Sequence, residues 1–98
     1  MASRNPSELE SNPQETLLEF PCKFPVKAMG RSQEGFEALV TKIVLAHAEI
    51  SEGERVTINS SGSGTFISVT VTIEALSKTQ LDRIYEDLSN CEQVLVAL

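Results

Sequence analysis

The sequence predicts an α+β domain in which two helices lie on one face of a four-stranded antiparallel sheet, and three features predict it. Two stretches repeat apolar residues at helical spacing, Phe36, Leu39, Val40, Ile43, Val44 and then Leu81, Ile84, Tyr85, Leu88. Other stretches alternate apolar with polar residues as half-buried strands do, most clearly from Phe66 to Ile73. Residues suited to chain reversal fall between them: Gly30, Glu52-Gly53, Ser61-Gly62-Ser63-Gly64 and Asn90.

Residues 1–15 hold Pro6, Pro13 and few apolar side chains, too little to offset ordering entropy, and are expected to form a disordered N-terminal tail before one domain over residues 16–98. Leu17, Leu18, Phe20 and Pro21 lead into a first strand with Phe24, Val26 and Ala28 inward and Pro25, Lys27 and Met29 outward, until Gly30 breaks the run. Ser32 is the expected cap of a first helix reaching about His47. Val56 and Ile58 alternate with Thr57 and Asn59, and the Ser/Gly turn makes a hairpin with the next strand. That strand turns Ile67, Val69, Val71 and Ile73 inward and Phe66, Ser68, Thr70 and Thr72 outward. Ser77 with Gln80 forms a capping box for the second helix, and Leu76 with Leu81 a hydrophobic staple. Val94 to Leu98 makes the last strand, with Val94 and Val96 inward. The order βαββαβ is that of the ferredoxin-like sandwich, with strand order 4-1-3-2. Its core is expected to hold Phe24, Val26, Ala28, Leu39, Val40, Ile43, Val56, Ile58, Val69, Val71, Ile73, Leu81, Ile84, Leu88, Val94 and Val96.

Composition then narrows function. Eight Lys and Arg against fourteen Asp and Glu give a net charge of −6, which argues against a nucleic-acid partner. No apolar run approaches the ~20 residues of a membrane helix, and the opening residues lack a secretory apolar stretch, so a cytoplasmic protein with no membrane partner is expected. Cys22 and Cys91 fall at opposite ends of paired strands, on the order of 20 Å apart, and should be free thiols. With one His and no local ligand spacing, neither a metal nor a cofactor is expected. His47 suits the dipole at a helix end and has no nucleophile in a linear triad pattern. Glu34 with Glu37, and Asp82 with Glu86, read as solvated helix faces, so no catalytic residues are assigned and the chain is expected not to be an enzyme.

Two surfaces remain as candidates. Gly30-Arg31-Ser32 precedes a helix and can receive an anion there, or serve only as strand breaker and cap. On the uncovered sheet face, Met29, Phe66, Leu95 and Ala97 form either a contiguous apolar patch for a homodimer or protein partner, or a scatter of single exposed residues. Gly64-x-Phe66-Ile67-x-Val69 echoes a strand of RNA-recognition domains, but Phe66 is the one aromatic expected on that face and the net charge has the wrong sign.

Four segments resemble the YbeD-like bacterial proteins, a domain of unknown function. They are Leu18-Glu19-Phe20-Pro21, then Phe24-Pro25-Val26-Lys27-Ala28-Met29-Gly30, then Ser61-x-x-Gly64-x-Phe66-x-Ser68-Val69-Thr70, then Ile84-Tyr85-Glu86-Asp87-Leu88. The likeness runs from about Leu17 to Leu98, and His47 matches a His at the end of the first helix; the departures are Ser63, where a Lys is common before the glycine, and Leu95, where a basic residue can occur, and both weaken an anion site on the sheet. The resemblance implies a fold similar to ACT regulatory domains and a lipoic-acid-associated regulatory role. An ACT-like ligand, a small metabolite, would sit near Gly30-Arg31-Ser32.

Overall fold

A computed structural model describes residues 18–98; the expected tail, with Thr16 and Leu17, lies outside the described residues. The elements run β1 (Cys22–Arg31), α1 (Phe36–Leu45), β2 (Thr57–Ser60), β3 (Phe66–Ala75), α2 (Lys78–Ser89) and β4 (Val94–Ala97). All strands join one antiparallel sheet in the order β2-β3-β1-β4, which is the expected 4-1-3-2 read from the other edge. β1 and β3 pair along their whole length, from Cys22 opposite Ala75 to Arg31 opposite Phe66.

Alternation sorts these two strands as the sequence predicts. Val26 and Ala28 of β1 and Val69, Val71 and Ile73 of β3 are fully buried with Val40, Ile84 and Leu88 of the helices. Burying each large apolar side chain stabilises the fold by about 1.5–3 kcal/mol, so this one layer holds the helices to the sheet. Phe36, Val44 and Ala75 belong to the same core, Phe24, Ile43, Val56 and Val94 only half enter it, and Leu39, expected there, is half-buried outside it. Ile58 faces inward opposite Val69 yet stays 40% exposed, because β2 is an edge strand that the helices scarcely cover. Beyond β2 the edge of β3 is occupied by the α1–β2 connection: Ser51 N–H donates to Thr72 and Glu74 N–H to Glu49.

The start of α2 is built largely as its sequence indicates. Ser77 Oγ accepts from Gln80 N–H at 3.1 Å, while Gln80 returns its own oxygen to Leu76 N–H at 2.7 Å, one residue before the cap. The Gln80 amide also donates to the His47 carbonyl at 2.9 Å, tying the helices together. The staple does not close, since Leu76 is 61% exposed and Leu81 is buried. α1 departs further: it begins at Phe36, behind Gly35 in the left-handed region (φ 87°), with no side-chain cap, and ends at Leu45, short of His47.

Candidate functional site

Gly30, Arg31 and Ser32 do not converge on a helix end. β1 continues through Gly30, which pairs with Ile67 on one side and Val94 on the other and is buried. Ser32 is not the helix cap, because its N–H donates to the Thr65 carbonyl at 2.8 Å and extends the β1–β3 ladder. Nor does Gly30 break the strand. Its role is to leave room: a Cβ there would lie 2.4 Å from the Gln93 carbonyl oxygen and 2.6 Å from Cε1 of Phe36. Arg31 points the opposite way, its guanidinium 5.9 Å from the centre of the Phe66 ring. The missed signal was Gly35-Phe36, a left-handed glycine followed by an aromatic that needs a hollow beneath it.

Among the described residues, no helix lies on the opposite side of the sheet. Lys27, Met29 and Arg31 of β1 stand there beside Thr70, Ser68 and Phe66 of β3, and Thr57 and Asn59 of β2 complete two cross-strand rows. β4 corrects the predicted parity. Ala28 pairs with Ala97 and Met29 with Val96, but Gly30 pairs with Val94, so Leu95 is an extra residue in a bulge. Ala97 therefore turns inward beside Ala28 and packs on the core, whereas Val96, expected inside, stands beside Met29 and is 45% exposed. Leu98 continues the register through mutual main-chain hydrogen bonds with Lys27 and is also exposed. Sequence reasoning thus placed Met29 and Phe66 on the open face, kept Leu95 exposed, and exchanged Ala97 for Val96 and Leu98. Between the hairpin and β1 the face dips into a hollow of about 250 Å³ lined by Met29, Asn59, Ser60, Ser61, Phe66, Ile67 and Ser68.

Other groups resolve into structural partners. His47 lies just beyond α1, where its Nε2 is 2.6 Å from Oδ2 of Asp87, bridging the two helices across their exposed side. The Tyr85 hydroxyl donates to the main-chain oxygen of Leu98, and its ring meets Phe24 edge-on. Burial raises the Tyr85 pKa above its ordinary value, because the phenolate loses water there. A second hollow, of about 400 Å³, lies at the far end of the sheet between Cys22, Lys23, Ser51, Glu52 and Glu74, and Lys23 is paired with Glu54 at 3.0 Å. Cys22 and Cys91 are free thiols at opposite ends of β1's span. Among the described residues no three acidic, His or Cys side chains gather as a metal ion requires, and no helix is long and apolar enough to cross a membrane.

Comparison with known proteins places this geometry in a family. A model described as a protein of unknown function, DUF493, matches residues 15–98. A UPF0250 protein of Nitrosomonas europaea is 41% identical over 85 residues, spanning 87% of this chain and 98% of its own. Another, of Chromobacterium violaceum, is 38% identical over 88 residues, 90% of this chain and 99% of its own. The solution structure of protein HP0495 from H. pylori shares the fold with a TM-score of 0.65, at 15% identity, over 98% of this chain and 97% of that one.

Proposed function

The chain belongs to DUF493, a family of unknown function with bacterial UPF0250 members, and from its geometry we propose a non-enzymatic regulatory or adaptor module that binds a protein partner through the bare face of its sheet. One observation carries this: Met29, Phe66, Val96 and Leu98 stand outward on the side that no helix among the described residues covers, with Phe66, Val96 and Leu98 at 37%, 45% and 63% exposure. Small domains gain by hiding such side chains, and Phe and Met are enriched where proteins meet. His47, the group most suited to acid–base work, is engaged by Asp87 on the other side of the molecule.

Affinity capture from a cytoplasmic extract tests the proposal, comparing the wild type with Phe66→Asp on the bare side, Leu95→Asp in the β4 bulge and Glu37→Lys on the helix side. A bound protein lost with Phe66→Asp and kept with Glu37→Lys supports it, and identical captures from all of them refute it. Light scattering of the same samples separates a homodimer from a foreign partner. A second reading, a small metabolite in an ACT-like regulatory role, is favoured by the hollow between Met29 and Phe66. Thermal-shift measurements with amino acids, lipoate and octanoate address it, since saturating ligand raises the midpoint of a protein that binds it.

A further inference from the structure

We propose that the partner of the bare sheet face is an acidic protein surface whose carboxylates meet Lys27 and Arg31 and whose apolar anchor seats among Met29, Phe66 and Val96. This rests on the bare face being the binding side. It follows from how charge is divided over the molecule. The chain is acidic as a whole, at −6, yet among the outward strand positions the one carboxylate is Glu74, opposite Lys23 at the far end of the sheet. Lys23 is further neutralised by Glu54. The remaining described side-chain carboxylates lie on α1, α2, the connections and, for Glu19, the segment leading into β1.

What is left on the face is Lys27, with no partner among the described residues, and Arg31 leaning over Phe66, their Cα atoms on the order of 13 Å apart along β1. Threonine and serine hydroxyls surround them, as Thr70 sits opposite Lys27, Thr57 opposite Thr70, and Ser68 opposite Met29. The face is therefore cationic and hydroxylated on a protein that is anionic elsewhere, which steers acidic surfaces toward this side and repels them from the helix side.

A second copy is disfavoured as the occupant, because a two-fold contact through this face would bring two copies of the same cationic surface together. A single-stranded nucleic acid is disfavoured too. Two cations release few counterions, and one aromatic stacks at most one base or so, where binding sheets use two or three. Arg, Met and Phe together are the composition of protein-interface centres. Two ten-residue strands flanked by two four-residue strands give a plan area on the order of 500 Å² before side-chain relief, near the ~600 Å² that each partner contributes in the smallest specific interfaces.

The probes are poly-L-glutamate, oligo-dT and poly-L-lysine, added to isotope-labelled protein at low salt and followed residue by residue by NMR. The expected result is saturable shifts with poly-L-glutamate at Lys27, Met29, Arg31, Phe66 and Thr70, weakened about tenfold or more in Lys27→Glu/Arg31→Glu and by raised salt. Lys27→Gln/Arg31→Gln serves as a milder second variant, and dispersed spectra establish that both fold. Shifts centred on Lys42, Arg55 and Arg83 instead, or none on the sheet, overturn the acidic assignment, as does tighter binding of oligo-dT. If Phe66→Asp abolishes capture of a cellular protein while Lys27→Glu/Arg31→Glu leaves it intact, the bare face binds but its partner is not acidic. If neither variant alters capture, the binding face itself is wrong.

Discussion

Replacing Gly30 with alanine adds one methyl group at the most crowded point on β1. That carbon would stop about 1 Å short of the 3.4 Å at which ordinary contact with the Gln93 oxygen begins, and it would also meet the Phe36 ring. The ring can tilt, but the oxygen is main chain and moves only if the loop before β4 moves. Overpacking a filled core costs about 1–3 kcal/mol, and the main-chain clash argues for the upper half of that range. Stiffening the unfolded chain gives back about 0.4–1 kcal/mol, leaving a net loss of about 2 kcal/mol. For a domain of this size, that lowers the thermal midpoint by roughly 8–16 °C, measurable by circular dichroism and checked by urea unfolding. Adding Phe36→Leu separates the two clashes in a double-mutant cycle, in which the smaller side chain relieves part of the Gly30→Ala loss while the Gln93 contact keeps the rest. A Gly30→Ala protein as stable as the wild type, with the hydrogen bonds between β1 and β4 intact, would refute this account of the glycine.

Ile84→Ala empties a fully buried site and should cost about 2–5 kcal/mol by urea unfolding, against within about 0.5 kcal/mol for exposed Lys42→Ala. Ser77→Ala removes the oxygen that accepts from Gln80 N–H and should cost about 1 kcal/mol, seen as earlier amide exchange in the first turn of α2. His47→Gln and Asp87→Asn, combined in a double-mutant cycle, should show a coupling of about 0.5–1 kcal/mol, since the side chains are 24% and 49% exposed and water screens the pair. Tyr85, the chain's single tyrosine, should titrate above an unfolded phenol when followed by tyrosinate absorbance. The unfolded chain releases that proton first, so stability is unaffected by this group below pH 10 and falls as pH rises from there through the folded pKa.

Much of the fold was legible because β1 and β3 are long, fully paired and dry on one side, so period-two alternation is enforced at every position. The second helix was legible for a similar reason, as Ser77 and Gln80 announce its start through bonds that form between near neighbours in sequence. Three features were not local and were missed. The start of α1 depends on Ser32 being drawn to Thr65, more than thirty residues on. The inward side of β2 reads as core by pattern, but burial also needs a helix overhead, and Ile58 sits at an edge with little cover. In β4, four residues of uniformly apolar sequence contain no alternation from which to read a face, so nothing in Val94-Leu95-Val96-Ala97 marks the bulge. The candidate surface was half legible for the same reason: Met29 and Phe66 come from the well-patterned strands, whereas Val96 and Leu98 come from the strand whose parity only pairing decides. A sum of charge over the chain does not show how that charge is divided between helices and sheet, which only the pairing of strands reveals.

The bulge links packing to the proposed binding face. Phe36 needs a hollow in the sheet, and Gly30 supplies it by having no side chain. The same vacancy lets the chain leaving α2 bring the Gln93 carbonyl against β1, and the β1–β4 register slips by one residue at that point. Beyond the slip, Val96 and Leu98 take the outward positions beside Met29 and Lys27, and Ala97 goes inward. Without the extra residue the parity of β4 relative to Val94 would be regular, placing Val96 inward and the small Ala97 outward. The apolar part of the bare face thus depends on a glycine buried on the opposite side of the same strand. Sequence change at Gly30 should therefore disturb partner binding and stability together, although the residue touches no partner.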